Sequence, residues 1–163
     1  ISELVSMAMR GDVGVVGARS YYKNGTLEHA GCVIGMNGTA GSLFEHTLRG
    51  ENGYFSHIVT QMQYSAVAGA CMMVKKDIFE KMNGFDEGYK GELGKVDLCL
   101  KIRNKHISVV YNPYVEMVRW SNELQNNEND EKIFKKQWAE ILEKGDPYYN
   151  KNLSLSVSGC NIR

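Results

Sequence analysis

Residues 64–105 read YSAVAGACMMVKKDIFEKMNGFDEGYKGELGKVDLCLKIRNK, and this run decides the fold. Ser65 to Lys75 has the apolar, β-branched content of a strand, broken or bent where Gly69-Ala70 interrupt it. Asp77, with Glu80 three positions on, is the pattern of a capping box opening a short helix. Ile78, Phe79 and Met82 form its core face. Asn83-Gly84 ends it, since both residues tolerate the left-handed conformation of a helix C-terminus. A Gly-Phe-Asp turn and an acidic loop lead into a second helix, expected over about Val96 to Asn104. That helix is apolar almost all round, which predicts burial on several sides.

Working outward, Leu4, Val5, Ala8 and Met9 share one face of an opening helix for which Ser2 is the expected N-cap. The chain starts at Ile1 already inside this pattern, which suggests a piece of a longer protein. Val13 to Ala18 is a buried-strand run. Asn24-Gly25 is a hairpin signal, with Leu27 to Ile34 as the partner strand. A glycine-rich stretch from Gly35 to Tyr54 reads as a long loop with one short helix, the kind of segment that carries ligand contacts. Ile107 to Tyr111 and Val115 to Trp120 read as two strands separated by Pro113. Phe134, Trp138, Ile141 and Leu142 mark an amphipathic helix over about residues 130–144. Irregular alternation of helices and strands, with a hairpin, predicts an α/β fold around a mixed sheet.

Composition narrows the function classes. At 163 residues with 43% hydrophobic content, a single domain with a core is expected. Basic and acidic residues both number 19, so charge gives no nucleic-acid or anionic-membrane footprint. No apolar run approaches the ~20 residues of a membrane span. The cysteines and histidines are widely spaced, which predicts reduced thiols in a cytosolic protein and no zinc site.

Three groups could carry chemistry. Asp86, Glu87, Glu92 and Asp97 flank a Gly-Tyr-Lys-Gly turn. A sugar-transfer enzyme needs one carboxylate to take the acceptor proton and positive charge to stabilise a departing diphosphate. Equally, Asp86 could serve the turn and Asp97 the positive end of a helix. Gly69 and Ala70 either let a ligand approach the backbone or form a packing bulge. Arg119-Trp120 and Tyr148-Tyr149 could stack on sugar rings, or be core and surface anchors.

The pieces resemble one family. VGVVGARSYYKNGT (residues 13–26) followed by EHAG (28–31) is similar to the "DVGVVGAKLYYPDGT…QHAG" segment of bacterial rhamnosyltransferase-like family 2 glycosyltransferases. Residues 65–87 resemble "SAVTGACLLVRR…FEEVGGFDE". Residues 96–100 match "VDLCL", and DPYYNKNLS (146–154) is similar to "DPYYNPNLS". The likeness runs over nearly the whole chain.

It implies a GT-A fold, a Rossmann-like mixed-sheet sandwich, of which residues 1–163 are the C-terminal, acceptor-side part of one domain. The donor-binding half with its Asp-x-Asp motif is expected before Ile1. It further implies an inverting transfer from a nucleoside-diphosphate sugar to a glycan- or lipid-linked hydroxyl in cell-surface polysaccharide synthesis. The parent is expected in the cytoplasm, with peripheral association at the inner face of the membrane. A divalent cation, manganese or magnesium, is expected for the full-length enzyme and none in this part.

Two departures stand out. Gly94-Lys95 precede Val96-Asp97 where the family shows "(E/N)DVDLC", with the first Asp as base. Arg119-Trp120-Ser121-Asn122 stand at the family's "HHES". Asp97 and Glu92 are then the base candidates, with Lys95 at the base position. Lys95 and Arg119 could neutralise a diphosphate without metal. Gly69, Ala70, Arg119, Trp120, Tyr148 and Tyr149 are the substrate-binding candidates. The rival expectations are a catalytically degenerate pseudo-transferase acting as a binding or scaffold domain, and a small free-standing α/β binding protein.

Overall fold

A computed structural model describes residues 1–120 and 126–162. Five helices, α1 (Ser2–Ala8), α2 (Lys76–Lys81), α3 (Leu93–Arg103), α4 (Glu128–Gln137) and α5 (Ala139–Lys144), surround two sheets. The strands are β1 (Val13–Tyr21), β2 (Leu27–His29), β3 (Cys32–Ile34), β4 (Ala40–Ser42), β5 (Met62–Gln63), β6 (Met72–Val74) and β7 (Ser108–Val118).

The larger sheet is mixed, as expected. β1 and β7 run parallel at its centre. β5 lies antiparallel on β7, while β2 and β6 share the other edge of β1, one along each half. Both faces of β1 are covered. Val13, Val16 and Ala18 pack with Leu4 and Ala8 of α1, whereas Val15 joins the main core with Leu98, Ile102, Val109 and Tyr111. Burial on both faces is why the strand reads as a continuous apolar run. A register irregularity between Val13 and Val15 lets neighbours of the same parity serve different faces.

Several elements differ from expectation. The hairpin forms around Gly25, at φ 84°, but its second strand does not run through to Ile34. It breaks at Gly31, whose φ of 109° and lack of a side chain let the Tyr64 ring pack where a Cβ would sit at 2.3 Å. β3 therefore turns away and pairs with β4 in a small second sheet. The stretch expected as one strand from Ser65 to Lys75 keeps only β6, because residues 69–71 coil into a 3₁₀ turn. The two strands expected around Pro113 are one, with Asn112 opposite Ala18 and Glu116 opposite Arg19. Residues 113–115 bulge out, and Asn112 Oδ1 accepts the Tyr114 N–H at 3.0 Å.

Helix ends differ too. α1 and α2 have Ile1 and Lys75 at the N-cap with no side-chain cap bond, so neither Ser2 nor Asp77 caps. Val5 and Met9, expected on the core face of α1, are exposed. The capping box lies instead on α4, where Asn127 and Asp130 bond each other's backbone N–H. The helix predicted over 130–144 is two helices meeting at Trp138. α3 begins three residues before its expected start, because Asn126 Oδ1 accepts the Leu93 N–H at 2.9 Å. Eight of its residues are buried, among them Asp97. None of the four cysteines is in a disulfide. Among the described residues, no helix is long and apolar enough to cross a membrane.

Candidate functional site

The start of α3 forms one wall of a cavity of about 170 Å³. Glu92, Leu93 and Val96 come from this end of the helix, Gly69 from the 3₁₀ turn, Glu28 from β2, Ser42 from β4, and Tyr22 and Glu45 from the flanking loops. The small residue at 69 is required by close approach. A Cβ there would stand 2.5 Å from Lys95 Cγ and 3.1 Å from Glu92 Oε2.

Charge is organised as an alternating chain. Arg119 Nε lies 2.7 Å from Glu28 Oε1, and its Nη2 lies 3.7 Å from Glu92 Oε1. Lys95 Nζ lies 3.8 Å from the same Glu92 oxygen and donates to the Gly91 carbonyl at 3.4 Å. Arg119 reaches this position because its backbone N–H extends the sheet, donating to Tyr21 O at 2.9 Å. Glu28 is only 3% exposed. Its oxygens hold no directed hydrogen bond among the described residues, so Arg119 meets it as an ion pair of off-axis geometry. Burial pushes the Glu28 carboxyl above the ordinary carboxylate range, and Glu92 and Glu45 add to this, while Ser20 and Arg119 oppose it. Tyr22 donates its hydroxyl to Glu45 and stacks on His46 at 5.2 Å.

Behind this wall, His29 is buried and neutral. Its Nε2 accepts the N–H groups of Ala68 at 3.1 Å and Gly31 at 3.3 Å, which places the ring proton on Nδ1, facing Ser42 Oγ at 3.3 Å. Burial chiefly, with Arg119 adding, pulls its pKa down to about 3. Cys32 Sγ stands 3.8 Å from that same Nδ1. A protonated nitrogen cannot take the thiol proton, so the pair is no catalytic dyad.

The other candidates disperse. Asp97 is fully buried and does not line the cavity. Its Oδ1 accepts Gln137 Nε2 at 2.7 Å and Trp138 Nε1 at 3.0 Å, and its Oδ2 pairs with Lys101 at 2.7 Å. It fastens α3 to the α4–α5 junction. Gly69 and Glu92 line the cavity; Lys95 and Arg119 adjoin it through Glu92. Ala70 is half-buried in the 3₁₀ turn and is not on the cavity wall. Trp120 is exposed and faces Lys23 across 5.1 Å. Tyr148 packs its ring under Arg103 at 4.8 Å, and Tyr149 donates to Ser154 O at 2.8 Å. Neither tyrosine reaches the cavity. Ser121 and Asn122 lie outside the described residues.

Asp146 explains the motif around those tyrosines. It accepts Ile34 N–H at 2.7 Å, Ser65 Oγ at 2.6 Å and Tyr148 N–H at 2.9 Å, so the segment is a buried staple. The sequence reading did not single out Glu28, Glu45, Tyr22 or Ser42. Only Glu28 carried a signal, as the first residue of the EHAG motif.

Among the described residues, no group of three His, Cys, Asp or Glu side chains could hold a metal ion. Glu28 and Glu92 are bridged by a guanidinium, which a cation would have to displace. These residues do not fit the divalent ion that the family resemblance implies for the parent enzyme.

No protein-family model matches the chain, and no solved structure does. Two curated proteins are similar to it. One is "Uncharacterized protein y4gI" of Sinorhizobium fredii (strain NBRC 101917 / NGR234), 35% identical over 95% of this chain and 18% of its own length. The other is "O-antigen biosynthesis protein RfbC" of Myxococcus xanthus, 31% identical over 100% of this chain and 13% of its own length. The chain thus spans less than a fifth of either relative.

Proposed function

We propose that this chain is the acceptor-side part of a GT-A glycosyltransferase domain, acting in polysaccharide synthesis. Supporting it are the mixed α/β sheet, the family-like motifs in order along the chain, and the printed name of the Myxococcus relative. The observation that carries the site is Glu92. Of the two base candidates it is the one on a cavity wall, beside a glycine that leaves room for a ligand, whereas both Asp97 oxygens are engaged with protein groups.

In this reading Glu92 takes the proton of an acceptor hydroxyl, whose oxygen attacks the anomeric carbon of a nucleoside-diphosphate sugar. The bond to the diphosphate breaks on the opposite face, so configuration inverts. The diphosphate leaves with the bonding electrons, and Glu92 keeps the proton. Arg119 and Lys95 hold the Glu92 carboxylate in place. Since carboxylates already meet both cations, they make a poor diphosphate clamp, and leaving-group stabilisation falls to the rest of the parent protein. Its setting is the cytoplasm, at the inner face of the membrane, where such donors and lipid-linked acceptors meet.

The second reading, a binding or scaffold domain, is favoured by the same ion pairs, which leave a site largely neutralised within itself. The test is transfer by the full-length parent with radiolabelled nucleotide sugars. Glu92→Gln should lower the rate by roughly 10²–10⁴-fold, the usual contribution of a general base, without lowering the melting temperature. Full activity in Glu92→Gln would remove the base assignment. A wild-type parent that binds glycan but transfers nothing would establish the scaffold reading.

A further inference from the structure

The cavity wall has a consistent chemistry. Glu28, Glu45 and Glu92 line it together with the neutral polar groups of Tyr22, Asn37 and Ser42. No lysine or arginine is on that wall among the described residues. Arg119 and Lys95 meet Glu28 and Glu92 and offset two of the three negative charges. Glu45 is left with the Tyr22 hydroxyl and the mostly exposed His46, 3.7 Å away. A second, independent feature points to a ligand. Glu28, 3% exposed, carries two oxygens without a directed hydrogen bond, an arrangement that is costly unless a donor completes it.

We infer that the cavity is a subsite for a single sugar ring bearing hydroxyl or ammonium groups, and that it rejects rings carrying a carboxylate or phosphate. The inference rests on the acceptor reading and narrows it to neutral and amino sugars. The volume of about 170 Å³ suits one ring. Ring hydroxyls and an ammonium group are donors, which is what three carboxylates and a tyrosine oxygen can accept. An anionic ring would bring like charge against Glu45 and find no cation on the wall to meet it, and such juxtapositions carry most of the discrimination in charged sites.

The test uses the 163-residue chain and ligand-observed NMR titration with the methyl glycosides of glucosamine, glucose and glucuronic acid. The glucosaminide should bind at least roughly tenfold more tightly than the glucuronide, with the glucoside between them. Added salt should narrow the gap. Glu45→Gln, at a half-exposed position where the fold tolerates an isostere, should narrow it further, and Glu28→Gln should weaken all three sugars. A glucuronide that binds as well as the glucosaminide overturns the inference and leaves the acceptor reading standing. Failure of every sugar to bind overturns both. A gap unchanged in both variants places the binding elsewhere and also overturns the inference.

Discussion

Asp97 gives the sharpest separation between a chemical and a structural role. Replacing it with alanine removes the acceptor of two hydrogen bonds, at 2.7 Å from Gln137 and 3.0 Å from Trp138, and the 2.7 Å pair with Lys101. A hydrogen bond to a charged acceptor contributes about 1.5–3 kcal/mol. Gln137 is exposed and rebonds to water, so its share is at the low end, and Lys101 at 28% side-chain exposure adds at most about 1 kcal/mol. The half-buried Trp138 N–H has fewer alternatives. The sum is about 3 kcal/mol, or a fall in melting temperature of roughly 6–12 °C for a chain of this size. Asp97→Asn keeps a carbonyl oxygen for both donors and forfeits mainly charge, so its loss is about 1 kcal/mol. Urea titration of both variants, followed by tryptophan fluorescence, measures the difference. Equal loss in the two, or an alanine variant within about 0.5 kcal/mol of wild type, would refute the account of Asp97 as the fastener between α3 and the α4–α5 junction.

Two further outcomes follow from the buried geometry. His29 is held neutral with a pKa of about 3, so the unfolded chain binds a proton that the folded chain does not as pH falls below about 6.5. Stability should therefore decline from that point towards pH 3 with up to about 1.4 kcal/mol per pH unit from this group, and the slope should lessen in His29→Gln, as read from urea midpoints across the range. Gly31→Ala combines a left-handed backbone with a Cβ 2.3 Å from the Tyr64 ring. It should lower stability by more than about 2 kcal/mol, and a wild-type melting curve would contradict the packing described.

Local pattern was enough for much of the fold. The apolar run at Val13 to Ala18, the Asn24-Gly25 turn, the left-handed stop at Asn83-Gly84 and the all-round apolarity of α3 are each properties of a few adjacent residues. The physics behind them, burial on both faces or tolerance of positive φ, acts locally. Failures arose where a distant partner took over. Gly31 breaks the expected strand because Tyr64, more than thirty positions on, occupies its open side. β7 runs through Pro113 because a bulge removes residues 113–115 from the ladder. α3 starts early because Asn126 completes its first turn.

The candidate site divides along the same line. The sequence by itself determined that a carboxylate stood near the head of a buried helix, and that Gly69 and Arg119 were unusual enough to name. It could not rank Glu92 over Asp97, since five positions on a helix with nearly all sides buried give no account of which way each side chain points. Tertiary structure decided that. The α4–α5 junction claims Asp97, while β2 brings Glu28, and through it Arg119, to Glu92. An ion-pair chain of this kind depends on distances of a few ångströms between segments up to ninety residues apart, and Coulomb interactions read separation in space, of which order along a chain is only a weak constraint.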